Sequence, residues 1–266
     1  MKHLALATVT GLALLGGGTA MAETIVETVP YEIDGEAFAG LLVYDSSLTG
    51  TAPGILMVPN WMGPTDDAAR KAARVAGDRY VVLVADMYGK AARPQNQQQA
   101  AQAAAAVRSN RALMRRRATV ALDTLRTVQP RQKALKVDST RLGAAGFCFG
   151  GTSVLELARA GAAISGFVSF HGNLDTPRPG DTTALPAPVL VLHGADDPYV
   201  PAEQVRAFEE EMRNAGADWQ LVSFGGAVHS FSDPTANTPG QAQYHPRVAA
   251  RAFTMMNQFF DEQFAH

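Results

Sequence analysis

Apolar residues in this chain fall into short unbroken runs, separated by stretches of helical period. Residues 53–59 (PGILMVP), 80–85 (YVVLVA), 141–147 (RLGAAGF), 164–170 (ISGFVSF) and 189–192 (VLVL) each read as a strand buried on both faces, because their apolar positions run consecutively rather than alternating. Residues 219–224 add one more strand. Thr65-Asp66-Asp67 caps a helix running to about Arg79. Residues 95–128 are rich in Ala, Gln and Arg and contain no Gly or Pro, so they read as helical. Further helices are expected over 151–159, 201–215 and 246–264. Residues 24–45 differ, since apolar and polar positions alternate around Asp34-Gly35, a hairpin signal. The pattern predicts a single α/β domain: a mostly parallel twisted sheet with helices on both faces and an antiparallel N-terminal hairpin. No Pro-, Gly- or Ser-rich linker divides it, and no repeat is present.

The first 22 residues stand apart. Lys2 and His3 precede an apolar run over 4–15, too short to span a membrane comfortably. Gly16-Gly17-Gly18 and the small-residue end Ala20-Met21-Ala22 follow. This predicts a secretory signal over 1–22, cleaved after Ala22, with 23–266 as the folded domain in the periplasm or secreted. No stable membrane span would remain; a retained anchor or a buried N-terminal helix is the alternative. The formal net charge of −2 offers no basic excess for nucleic acid. The six arginines of 95–128 therefore read as a solvated helix surface. A monomer or weak homodimer is expected.

Export makes the cysteine count informative. Cys148 is the only cysteine, so no internal disulfide can form, and the thiol is either buried and inert or kept for chemistry. Its neighbours favour chemistry. Gly146-Phe147-Cys148-Phe149-Gly150-Gly151 lies between a predicted strand and a predicted helix, the G-x-nucleophile-x-G elbow with Cys in place of Ser. The glycines remove Cβ atoms that would clash in so sharp a turn, and the helix N-terminus favours thiolate over thiol. A second element, residues 193–201, follows a strand and offers Asp197 as the acid that orients a base, with Asp196 as the fallback. The third is His229, in a glycine-rich loop after the last strand, as general base and acid. Nucleophile, acid, histidine is the chain order of α/β-hydrolases. Two backbone N–H groups, of Phe149 and Trp61, are the expected oxyanion donors. Alone, each residue has a blander role: a core cysteine, a turn aspartate, a loop histidine. Their joint occurrence, each just after a strand, favours a triad.

His171 and His193 close strands, and Tyr88 follows one at the same sheet end, where ligands bind in such folds. A buried histidine bonded to backbone is the alternative for each histidine. No H-E-x-x-H or C-x-x-C spacing points to a metal. The glycines at 143, 146, 150 and 151 fail the dinucleotide spacing.

With these residues in place, the chain resembles the dienelactone hydrolase (carboxymethylenebutenolidase) family over roughly residues 31–264. The motifs that carry the resemblance are G-F-C-F-G-G at 146–151, G-x-x-D-x-x-V-P at 194–201, His-Ser-Phe at 229–231 and Asp86-Met87-Tyr88. It implies a single α/β-hydrolase domain and a Cys-His-Asp triad that hydrolyses a small ester or enol-lactone through an acyl-cysteine, with no metal or organic cofactor. It also makes Asn60, Tyr88, Lys90, His171 and Phe231 candidate substrate-site residues. The chain departs from the best-known branch at three positions. Asn60 stands where that branch has a glutamate holding the resting thiol, so His229 is expected to activate Cys148 without a carboxylate gate. Lys90 and Asp233 stand where it has arginines gripping a substrate carboxylate. Neutral, short-chain activated esters are therefore expected to be hydrolysed at least as well as dienelactone. A thioesterase or small peptidase on the same triad, or a catalytically silent ligand-binding protein, is the alternative.

Overall fold

The unbroken apolar runs become the inner strands of one eight-stranded sheet in the computed structural model, which describes residues 23–177 and 185–265. The opening hairpin pairs β1 (Thr24–Ile33) with β2 (Glu36–Asp45). Then come β3 (Gly50–Val58), β4 (Val81–Val84), β5 (Leu135–Phe147), β6 (Gly166–Phe170), β7 (Val189–Gly194) and β8 (Trp219–Phe224). The strand order is β1-β2-β4-β3-β5-β6-β7-β8. β3 to β8 pair in parallel, and β2 meets β4 antiparallel, so the hairpin forms one edge. The expected signal segment, 1–22, lies outside the described residues. Among the described residues no helix is long and apolar enough to cross a membrane.

Each inner strand serves two cores, which is why its sequence shows no polar alternation. In β3, Ile55 and Met57 pack under α1 (Asp66–Ala76) and α6 (Pro246–Gln263), while Leu56 and Val58 face the opposite layer. That layer holds α2 (Gln97–Ser109), α3 (Arg111–Thr127), α4 (Phe149–Arg159) and α5 (Ala202–Asn214). Each such side chain, fully buried, contributes about 1.5–3 kcal/mol. All eleven residues of α4 are buried, and its charges are paired: Glu156 with Arg115 at 2.8 Å and with Arg159 at 3.0 Å.

Several elements differ from the sequence expectation. The helical stretch 95–128 breaks at Asn110, whose side chain accepts from the Leu113 N–H at 3.0 Å and caps α3. Its arginines are not simply solvated. Arg115 reaches buried Glu156, Arg111 pairs with Asp175 at 2.9 Å, and Arg117 donates to the Met87 carbonyl at 2.8 Å. α1 stops at Ala76, where Gly77 takes a φ of 51°. β5 begins at Leu135, because residues 135–138 pair with the start of β3 before a register shift at Pro53/Gly54. A short ribbon, β9 (Asn237–Thr238) with β10 (Ala242–Gln243), carries no signal in the hydrophobic pattern.

Candidate active site

β5 ends at Phe147 and α4 begins at Phe149, leaving Cys148 alone to make the turn. Its φ of 57° and ψ of −118° lie where L-residues are strained, at a cost of about 1–3 kcal/mol. The glycine spacing makes the turn feasible. A Cβ on Gly146 would sit 2.0 Å from the Gly150 carbonyl oxygen, and one on Gly150 would sit 1.9 Å from that of Val58. Cys148 is thus the N-cap of α4, at the positive end of the helix.

His229 arrives from the loop after β8. Its N–H donates to the Gln241 carbonyl at 3.1 Å, and its own carbonyl accepts from Gln243 N–H at 3.0 Å. The β9/β10 ribbon therefore pins the histidine backbone. The ring bridges two partners: Nε2 lies 3.0 Å from Cys148 Sγ, and Nδ1 lies 2.8 Å from Asp197 Oδ2. Asp197 is buried in the turn after β7, where its other oxygen accepts from Tyr199 N–H at 2.9 Å. Asp196 points elsewhere and accepts from Gly226 N–H at 3.0 Å, bracing the loop.

Burial opposes charge on both partners, but their mutual bonding outweighs it. Desolvation pulls His229 down, yet the hydrogen bonds to Asp197 and Cys148 raise it to about 10. Desolvation pushes the Cys148 thiol up, yet the bond to His229 brings it below its ordinary value. A carboxylate only accepts, so Nδ1 carries its proton toward Asp197 and Nε2 is left to face the sulfur. Both shifts run in the direction of a thiolate beside an imidazolium.

The loop after β3 supplies the opposite wall. The Trp61–Met62 peptide is held at both ends: Tyr88 Oη donates to the Trp61 carbonyl at 2.8 Å, and Met62 N–H donates to Asn60 Oδ1 at 3.0 Å. The Trp61 N–H itself has no acceptor among the described residues. A cleft of about 660 Å³ opens here, lined by Cys148, His229, Asn60, Trp61, Gln97 and Tyr199 among others. Tyr199 stands edge-on to His229 with ring centroids 5.2 Å apart. Gln97 and Tyr199 escaped the sequence analysis, although Tyr199 lies inside the 194–201 motif.

Four candidate substrate-site residues do not line this cleft. Lys90 is exposed and bonds through its backbone N–H to the Ala37 carbonyl at 2.8 Å. Phe231 is buried against His171 and Phe224, at 5.0 and 5.6 Å between centroids. Tyr88 is buried on Phe149 at 5.7 Å and reaches the site only through the Trp61 carbonyl. His171 lies behind the nucleophile, its Nδ1 accepting from Cys148 N–H at 3.1 Å. Asn60 does line the cleft, and its Nδ2 lies 3.5 Å from Asp233, whose carboxylate pairs with Lys71 at 3.2 Å. His193 is buried, and its Nδ1 finds no partner among the described residues. Among the described residues no three His, Cys, Asp or Glu side chains gather as metal ligands would.

Comparison with known proteins bears on the family and the fold. The model of the dienelactone hydrolase family matches residues 38–264. A solved structure described as m3DLH is similar at 39% identity, with a TM-score of 0.82 over 91% of this chain and 99% of that one. A dienelactone hydrolase-like promiscuous phosphotriesterase, P91, from metagenomic libraries is 36% identical, with a TM-score of 0.81 over 91% and 99% of the two chains. A Yersinia pestis protein provisionally named a carboxymethylenebutenolidase is 28% identical over 133 residues, 47% of this chain. That match spans about half, 48%, of the relative's length.

Proposed function

Because this chain belongs to the dienelactone hydrolase family, and so to the carboxylic ester hydrolases, we propose that Cys148, His229 and Asp197 form a triad that cleaves small esters or enol-lactones. The observation that carries the reading is His229 within hydrogen-bond reach of both Cys148 Sγ and Asp197 Oδ2. The thiolate attacks the ester carbonyl carbon, forming an S–C bond as the carbonyl π electrons move to oxygen. The Phe149 and Trp61 N–H groups receive that oxyanion. The intermediate collapses to an acyl-cysteine, and His229 Nε2–H passes its proton to the departing alkoxide. His229, now neutral, takes a proton from water as the hydroxide attacks the thioester. Collapse of the second intermediate releases the acid and restores thiolate and imidazolium. Asp197 keeps the ring oriented and favours its charged form throughout.

The cleft favours uncharged substrates. Its polar lining includes Asn60, Gln97, Thr238 and Gln241, and the charge of Asp233 is countered by Lys71. The direct test is a panel of nitrophenyl esters, thioesters and dienelactone, run on the whole chain beside Cys148→Ala and Cys148→Ser. Wild-type turnover with background rates in Cys148→Ala is the expected result. Equal activity in all three proteins would overturn the reading. A phosphotriester belongs in the same panel, because the P91 relative is described as a phosphotriesterase and the same thiolate can attack phosphorus. A thiol inert to iodoacetamide and no burst on any ester would instead favour a silent binding protein.

Residues 1–22 are read as a cleavable signal that directs the chain to the periplasm or beyond. An exported product whose N-terminus is Glu23 would support this, and one retaining Met1 would contradict it.

A further inference from the structure

His171, directly after β6, is a buried titratable group beside the nucleophile that the reaction above leaves without a task. Its φ of 39° is rare for a residue with a side chain, and such strain persists only where the surroundings impose it. The Cys148 N–H is shared between the Phe170 carbonyl at 3.0 Å and His171 Nδ1 at 3.1 Å. Nδ1 must therefore present its lone pair, which puts the ring proton on Nε2. There it faces Ser232 Oγ at 2.8 Å, and Ser232 lies three residues beyond His229. The ring also packs edgewise on His229, with centroids 5.3 Å apart.

We propose that His171 is a positioning residue for Cys148: its Nδ1 holds the N–H of the strained elbow, its Nε2 holds the loop that carries His229, and together they set the sulfur against His229 Nε2. The proposal deepens the triad reading and rests on Cys148 being the nucleophile. Its charged surroundings are consistent with a ring that stays neutral. Desolvation first, then His229 and Lys71, push its pKa well below the ordinary value, while Asp233 is occupied by Lys71. A charge on His171 would replace the acceptor with a second donor and would stand against the imidazolium of His229. Two neighbouring histidines thus hold opposite protonation states, as their separate tasks require.

A histidine that merely filled the core would need no acceptor aimed at the nucleophile's own N–H. Isosteres separate the two roles. Asparagine places an oxygen near the Nδ1 position, whereas phenylalanine fills the volume without an acceptor. The experiment is the pH dependence of Cys148 alkylation by iodoacetamide, with kcat and KM on an activated ester, for the whole chain and its His171→Asn, His171→Phe and Ser232→Ala variants. His171→Phe should raise the alkylation midpoint by about one pH unit and lower kcat about tenfold, with KM within about twofold. His171→Asn should keep the midpoint near wild type and recover most of kcat. Ser232→Ala should fall between, and it decides the matter if His171→Phe does not fold. Unchanged midpoints and kcat in all variants, or an asparagine variant as impaired as phenylalanine with an unmoved midpoint, would overturn the proposal. Alkylation needs no substrate, so this failure is distinct from a Cys148-independent ester activity, which would overturn the triad itself.

Discussion

Lys71 Nζ lies 3.2 Å from Asp233 Oδ2, and this pair changes what the cleft offers a substrate. Asp233 alone would put a negative charge beside Asn60 and repel anionic esters. Both side chains are largely buried, and Lys71 also sits 4.9 Å above the Phe147 ring. Desolvation pushes the Asp233 carboxyl up, but Lys71 outweighs it and keeps the group ionised. Lys71→Met should therefore raise KM for an anionic ester several-fold while leaving a matched neutral ester within about twofold, and should cost about 1–3 kcal/mol of stability. Kinetics on the matched esters, with a thermal melt, check both; equal KM changes would contradict the pairing's role.

The thiolate–imidazolium pair fixes a pH signature in stability. His229 is raised from 6.5 to about 10, and Cys148 is lowered from 9.0. Near pH 9 the folded pair keeps its proton on His229, while the unfolded chain begins to lose one from the thiol. Toward pH 10 the folded pair keeps a proton that the unfolded chain has lost, and stability from the pair declines. Urea unfolding across pH, compared with Cys148→Ala/His229→Gln, should show a wild-type advantage that shrinks as pH rises from 9 to 10. An advantage that grows from pH 9 to 10 would contradict the assignment.

On the proposed mechanism, Tyr88 would act on the reaction through the Trp61 carbonyl rather than through substrate. Its phenol fixes the peptide that follows the Trp61 N–H, the candidate oxyanion donor. Tyr88→Phe should lower kcat about tenfold and leave KM within about twofold, since removing a donor's support is felt in the transition state more than in binding. Stability should fall by about 1 kcal/mol for the lost hydrogen bond. A rise in KM with unchanged kcat would place Tyr88 against the substrate instead.

What was legible in the sequence is what repeats locally. Doubly buried strands leave unbroken apolar runs, and the elbow needs glycines at fixed offsets, so β3 to β7 and Cys148 could be read from the chain. The order of Cys148, Asp197 and His229 followed, because each sits just beyond a strand. What could not be read depends on single side chains and on distant partners. Asn110 breaks a stretch of good helix formers through a single side-chain cap. The start of β5 depends on a neighbour in β3, not on its own half-polar sequence. Asp197, the sequence's choice over Asp196, is the one that faces His229, in a turn where its N–H donates to the Gly194 carbonyl at 3.1 Å. The resemblance would give Lys90 the place of a substrate-gripping arginine, yet its exposure and its bond to Ala37 take it away from the cleft.

The central claim is a covalent acyl group on Cys148, and one measurement addresses it most directly. The whole chain is mixed with an activated ester, quenched in acid within the burst, and its intact mass and Cys148-containing peptide are weighed. The account predicts a mass increase equal to the acyl group, confined to that peptide and absent from Cys148→Ala. Full turnover with no adduct under any quench time, or an adduct on another residue, would contradict it.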